Sequence, residues 1–304
     1  MTTSSAAFSW STITSHINTS LLLNHPLQRL TSWRVGGAGE AVLIPSCLDD
    51  VSIALRLCPE TLPVTWLGLG SNVLISDSGV KGLVIVTQGS VLHHMEIVAE
   101  NIIYAQAGVP CGQLARFSAR QHLQGLEFLA GIPGTVGGAL RMNAGCYGGE
   151  TWNYVTDVET IDRQGVRRQY KKEAFDIGYR YVSLPDNEYF LGAYFKLCLG
   201  KKEESLLKIK TMLDQRHRSQ PTHLPNCGSV FKNPAGYHAA ALIEACGLKG
   251  QRVGGAEISE KHANFIVNVN DASAADILEL ITLAKNAVSR KFGIQLHQEV
   301  RVIS

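Results

Sequence analysis

The chain has 304 residues, 45% of them hydrophobic and 18% charged, with a formal net charge of +2. It is long and apolar enough for two or three folded domains, and without a long basic run it does not read as a dedicated nucleic-acid or membrane-surface binder. No apolar stretch approaches the roughly 18 residues that cross a bilayer, and the opening residues lack the basic and apolar regions of a secretory signal, so a cytoplasmic protein is expected.

Residues 1–19 are polar and rich in Ser and Thr, which predicts a loose arm or a frayed first helix. Residues 1–30 are therefore set apart as an N-terminal arm. From 31 to 200, short β-rich runs (41–45, 83–86, 102–107, 155–161 and 189–199) alternate with glycine-dense turns and short helical patterns, as in one strand-rich α+β unit. Past Gly200, Leu206, Ile209 and Leu213 recur at helical spacing, with the helix ending near Arg216. A second domain is expected to begin there, over 201–304.

The clearest helix comes late: Asp271 or Ser273 caps it, Ile277, Leu280, Ile281, Ala284 and Val288 form one stripe, and Gly293 stops it. A final strand is expected over 294–302, with Gln295, His297, Glu299 and Arg301 on the face opposite its apolar residues. The seven cysteines (47, 58, 111, 146, 198, 227 and 246) are scattered and form no C-x-x-C pair. They read as small core hydrophobes rather than disulfides or metal ligands, and no metal is expected.

Three segments concentrate glycine: 36–39, 68–72 and 131–138. Glycine permits positive φ and removes Cβ, so successive N–H groups can converge on a phosphate, with Ser71, Asn72 and Thr135 adding side-chain donors. Turn formation alone also explains any single one of these loops. Neither a G-x-G-x-x-G nor a G-x-x-x-x-G-K-[ST] motif is present, since Val73 stands where a third glycine would follow Gly68 and Gly70. Nor is there a G-x-S-x-G or an H-E-x-x-H. A pyrophosphate held by another architecture is left.

The segments TSWRVGG (31–37), GLGSNVLISD (68–77) and GIPGTVGGALRMNAGCYGGE (131–150) resemble the UDP-N-acetylenolpyruvoylglucosamine reductase family, known as MurB. The likeness continues through YRY (179–181), Gln220-Pro221, CGSVFKNP (227–234) and GGAEISEKHANFIVN (254–268), so it runs in order along nearly the whole chain. The pattern is that of the family's shorter second type. It implies an α+β FAD-binding fold of the vanillyl-alcohol oxidase (PCMH) type in two subdomains, about 31–88 and 89–200, closed by a C-terminal α/β substrate-binding domain. It also implies FAD as cofactor, NADPH as hydride donor and UDP-N-acetylglucosamine enolpyruvate as substrate, with no nucleic-acid partner, no membrane insertion, and a monomer or weak oligomer.

Residue by residue, the resemblance makes Ser229 the proton donor, Arg180 the cation on the substrate carboxylate and Glu299 the group completing the site. For FAD it points to Gly68, Gly70, Ser71, Asn72, Val73, Gly131, Ile132, Pro133, Gly134, Thr135, Gly138, Ala144 and Gly145. Tyr147, Arg216, Lys232 and Asn233 are expected to grip the substrate. Arg216 with His217 and Arg218 also reads as a solvated helix end, and His262 as a hydrogen-bonded structural histidine. The chain departs from the family at 36–39 (GGAG for GGPA), at Cys146 (for alanine) and at Gln298, where proline usually precedes the glutamate; the last bears on how rigidly Glu299 is held. Two other readings are an oxygen-using oxidase of the same fold and a non-catalytic nucleotide-sugar sensor; retention of Arg180, Ser229 and Glu299 weighs against the sensor.

Overall fold

The computed structural model describes residues 8–304. Its first layer is a four-stranded sheet ordered β1 (Leu21–Pro26), β2 (Ala38–Leu43), β5 (Val80–Val86), β3 (Val64–Leu67), with β4 (Val73–Ile75) outside it. β1 runs antiparallel to β2, while β2, β5 and β3 are parallel. Parallel strands are covered on both faces, which is why β5 reads as a continuous apolar run and buries all but Lys81. A single-turn helix α1 (Ser11–Thr14) precedes β1, and helix α2 (Leu48–Leu57) supplies part of that cover through Val51, Ala54 and Leu55, each fully buried.

The second layer is an antiparallel sheet of β6 (Met95–Ala99), β7 (Ile102–Gln106), β8 (Val155–Asp162), β9 (Arg167–Lys171) and β10 (Glu188–Lys196), in the order β9, β8, β10, β7, β6. Helices α3 (Cys111–Arg120) and α4 (Val136–Met142) contribute Leu114, Ala115, Val136 and Leu140 to the core on it. The C-terminal layer has a small sheet of β11 (Arg252–Val253), β12 (Ala256–Ile258) and β13 (Ile266–Asn268), with α6 (Ala239–Ala245) and α7 (Ala274–Phe292) packed on it. Ser273 and Asp276 form a reciprocal capping box on α7, and Gly293 ends it at φ +68°.

Three sequence expectations are corrected. Residues 8–30 are not an arm: Ile13 and Leu27 are fully buried, β1 edges the first sheet, and the buried Asp50 carboxylate accepts from the Asn18 and Thr19 amides at 2.9 and 3.0 Å. Residues 1–7 of the expected arm lie outside the described residues. The packing break also falls near Gln220 rather than Gly200. Helix α5 (Lys202–Ser219) lays Leu206, Ile209 and Leu213 on the second layer's core, and Ser205 donates to Glu127 at 2.6 Å. Finally, the strand expected over 294–302 is confined to β14 (Arg301–Ile303), because its parallel partner β4 is only three residues long.

Several contacts bind the C-terminal layer to the first, among them Asp77, whose carboxylate accepts from the Ala274 and Ala275 amides at 2.8 and 3.0 Å at the start of α7, and two further features. One is the pairing of β14 with β4. The other is Trp33, fully buried in the C-terminal core, whose Nε1 donates to Ile266 O at 2.7 Å while its carbonyl accepts from Asn268 Nδ2 at 3.0 Å.

Candidate active site

A cleft of about 520 Å³ opens where the three layers meet. Two glycine loops form its floor and wall. Gly68 lies against the second loop so closely that a Cβ there would sit 2.5 Å from Thr135 Oγ1. Gly70 has φ +59°, and a Cβ would come within 2.3 Å of Leu30 O, so the chain's own fold requires that glycine. Gly134 and Gly138 differ: a Cβ would meet nothing nearer than 3.5 and 4.0 Å, which leaves open space beside them in the cleft, although the Gly134 amide already donates to Ile132 O at 3.0 Å. The turn at 36–39 does not line the cleft; a Cβ on Gly37 would strike Asp77 O at 2.4 Å, so those glycines serve packing.

All thirteen residues expected at FAD line this one cleft, together with Arg180, Ser229, Glu299 and Arg216. Tyr147, Lys232 and Asn233 are not part of its lining. The Tyr147 hydroxyl donates to Met212 O at 2.9 Å, and Asn233 Oδ1 accepts from the Ala239 amide at 3.0 Å, at the start of α6. Arg216 is half-buried, donates to Gln220 Oε1 at 3.1 Å, and has its pKa lowered by burial.

Arg180 sits at the tip of the tight hairpin formed by Ile177–Gly178 and Tyr181–Val182, at φ +55°. A non-glycine residue there stores strain of about 1–3 kcal/mol and persists only where its surroundings over-determine it. They do. Arg180 Nε donates to Glu299 Oε1 at 2.6 Å and Nη2 to Gly145 O at 2.9 Å, with the guanidinium 5.0 Å from the Tyr179 ring centre. The side chains of Arg180 and Glu299 are only 17% and 15% exposed, so the pair is largely withdrawn from water. The carbonyls facing Arg180 are positioned by Asn143, which closes α4 at φ +39° and donates through Nδ2 to Glu150 at 3.0 Å.

Glu299 is fixed from three sides. Its amide donates to Val230 O at 2.8 Å, its carbonyl accepts from Asn72 Nδ2 at 3.2 Å, and its carboxylate holds Arg180. The preceding Gln298 bridges to Phe231 and accepts from Lys285 Nζ, so tertiary contacts hold the segment where the family has proline. Ser229 is half-buried between two asparagines: Asn226 Oδ1 accepts from Gly228 N at 2.9 Å, and Asn264 exchanges 3.0 and 2.9 Å bonds with the Phe231 backbone. The role of Asn264 was legible only as part of HANF. Cys146 also lines the cleft, its thiol pushed up to about 11 by burial. His262 does not line it; its Nδ1 is buried with no hydrogen-bond partner and its ring packs edge-on against Phe265, contrary to the expected hydrogen bond.

Among lining residues not singled out from the sequence are Trp66, Arg141, Tyr189 and Arg301. Trp66 stacks on Tyr189 with ring centres 5.2 Å apart, and its Nε1 is a buried donor without a partner. Arg141 falls inside the glycine-rich segment, and Arg301 follows Glu299 by two residues on the same face.

The cleft's glycine backbone and cationic wall suit a dinucleotide, and residues 39–169 match the FAD binding domain family. Fold and site thus define an FAD-dependent oxidoreductase. Residues 220–303 match the family "UDP-N-acetylenolpyruvoylglucosamine reductase, C-terminal domain". The chain is 51% identical over 293 residues to the UDP-N-acetylenolpyruvoylglucosamine reductase of Legionella pneumophila strain Corby, covering 95% of both chains. With the enzyme of that name from Alkalilimnicola ehrlichii it shares 50% over 278 residues, 91% of this chain and 93% of the other. The crystal structure of the Thermus caldophilus UDP-N-acetylenolpyruvylglucosamine reductase superposes with a TM-score of 0.81 at 33% identity, over 95% of this chain and all of that one. This chain belongs to the UDP-N-acetylenolpyruvoylglucosamine reductase family.

Proposed function

We propose that this chain reduces the enolpyruvyl ether of UDP-N-acetylglucosamine enolpyruvate to UDP-N-acetylmuramate with NADPH, a step in peptidoglycan precursor synthesis. The reading is carried by one observation: the Arg180–Glu299 pair, Ser229 and two glycine loops converge on a single cleft. The residues fit FAD, since Gly134 and Gly138 leave a cradle that a Cβ would fill, and the Trp66 donor waits without a partner. Gly68, Gly70, Ser71, Asn72, Val73, the 131–135 loop, Gly138, Ala144 and Gly145 would hold it. When bound, FAD would supply the hydride relay between NADPH and the vinyl ether.

The chain's own residues do the rest. Arg180 stays charged and engages the substrate carboxylate, stabilising the charge that develops on the adjacent carbon. Glu299 sets the orientation of the guanidinium through the 2.6 Å bond, leaving Arg180 Nη1 and Nη2 to face Asn143, Gly145 and the substrate. Ser229 donates the proton that this carbon needs; a hydroxyl is a weak acid, so the step depends on a strongly basic acceptor and on the rigid seat given by Asn226 and Asn264. Arg216 reaches the diphosphate from the end of α5, while Tyr147, Lys232 and Asn233 engage the sugar nucleotide once the cleft is filled.

Among the described residues no helix is long and apolar enough to cross a membrane. The reading places the enzyme in the cytoplasm, as a monomer or weak oligomer. The test is spectroscopic: under anaerobic conditions NADPH bleaches the flavin, and UDP-N-acetylglucosamine enolpyruvate restores its absorbance. A flavin bleached by NADPH but not restored by that sugar nucleotide would exclude this substrate.

A further inference from the structure

Four arginines line the cleft, Arg141, Arg180, Arg216 and Arg301, against a single carboxylate, Glu299. Glu299 is taken by Arg180. Among the described residues Arg141 and Arg301 form no ion pair. Both are exposed, at the mouth of the cleft.

The fold brings them to one rim. Arg301 opens β14 opposite Val73, directly after the Gly68–Asn72 loop, and its amide donates to Asn72 O at 3.0 Å. Arg141 lies in the last turn of α4, one turn beyond Gly137 and Gly138, with Nη1 donating to Val182 O at 3.1 Å. Burial lowers the Arg141 pKa, the like charge of Arg301 lowers it further, and Tyr181 opposes both. Two cations without a carboxylate partner on the wall of one cleft favour an anion there, and a phosphate accepts from two guanidinium forks at once.

We propose that Arg141 and Arg301 form a phosphate-binding pair that grips the diffusing nucleotides, NADPH and the UDP-sugar in turn, rather than FAD. The proposal rests on the reductase reading above. FAD already has a backbone cradle in the glycine loops, whereas these side chains stand at the rim beside Tyr181 and Val302, which are 49% and 46% exposed. An exposed ring next to a phosphate grip suits a base arriving from solvent.

The test uses the holoenzyme and Arg301→Met, the cleaner variant because β14 pairs through its backbone. Half-saturation for NADPH in anaerobic flavin reduction should rise about 10- to 100-fold, the loss of a charged hydrogen bond. The rate at saturation should stay within about twofold, as for lost binding without lost transition-state contact. Arg301→Lys should recover part of the loss, and Arg141→Met should behave like Arg301→Met. A parallel rise for NADH and UDP-N-acetylglucosamine enolpyruvate assigns the pair to the shared diphosphate and supports the proposal; unchanged half-saturations for both confine it to the 2′-phosphate and overturn the shared grip. Weakened FAD binding with unchanged half-saturations, or no change at all, overturns it. Should NADPH fail to bleach even the unaltered flavoprotein, the reductase reading falls, and the pair is judged by titrating 2′,5′-ADP against flavin absorbance. Binding lost in Arg301→Met then supports the pair, and equal binding overturns it.

Discussion

Valine placed at Gly134 and at Gly70 should damage the protein in two different ways. At Gly134 the new Cβ would meet only Ser71 Oγ at 3.5 Å and Ile132 Cγ2 at 3.7 Å, ordinary contacts, so the side chain projects into the cleft at little cost to the fold. A valine side chain standing in the cradle holds the cofactor off the loop, at a cost on the order of one lost charge-assisted contact, about 1.5–3 kcal/mol, so FAD affinity should fall roughly 10- to 150-fold. The melting temperature without FAD should move by no more than about 2 °C, since a change of about 0.5 kcal/mol in a chain this size does little more. At Gly70 the left-handed backbone costs valine about 1–2 kcal/mol, and the Cβ lies 2.3 Å from Leu30 O and 2.6 Å from Thr31 Cα, both of them backbone. That protein should lose about 5 °C or more before any FAD is added. Fluorescence titration with FAD and thermal melts of the apo-proteins separate the two outcomes. Normal FAD affinity in Gly134→Val, or equal losses of apo stability in both, would refute the assignment of Gly134 to the cofactor cradle.

Ser229→Ala should leave flavin reduction by NADPH nearly intact and slow reoxidation by the enolpyruvyl substrate by about 10²- to 10⁴-fold, read by stopped-flow absorbance; equal slowing of both steps would make Ser229 a turn residue. Glu299→Gln keeps an oxygen opposite Arg180 but removes the charge, so reoxidation should slow while NADPH reduction holds and apo stability drops by about 1 kcal/mol, measured by denaturant unfolding. Burial pushes the Asp50 carboxyl pKa up, but hydrogen bonds from Thr19 and Asn18 outweigh it and leave it lowered. Its stabilisation is therefore present above the ordinary carboxylate pKa and lost as pH falls through the depressed folded value. Asp50→Asn should flatten that part of the acid unfolding curve and loosen residues 8–20 in hydrogen exchange; an unchanged acid transition would count against it.

The parts legible in the sequence were those whose cause is local. The cap and stop of α7 follow from Ser273, Asp276 and Gly293, and among the cleft-lining glycines Gly134 and Gly138 mark open space rather than a packing need. What escaped depends on partners far along the chain. Strand β1 exposes Leu23 and bends at Asn24, φ +50°, so it carries no clean alternation; only Asp50 and β2 reveal that it is held. The periodicity of α5 tells which face is buried and not against what, hence the misplaced boundary. Lys232 and Asn233 follow the Ser229 turn in sequence and are not part of the cleft lining.

The β4–β14 pairing has a consequence for biosynthesis. Arg301, Val302 and Ile303 form part of the cleft wall, but their partner strand lies more than two hundred residues earlier, at Val73–Ile75. Trp33 likewise waits for Ile266. A nascent chain that has emerged only as far as α5 therefore presents the glycine loops with one wall missing, and the groove closes only once residues 301–303 have paired with β4. Loading of FAD should thereby follow that late pairing, and removing residues 301–304 should yield a chain that keeps its first two sheets but leaves the flavin open to solvent.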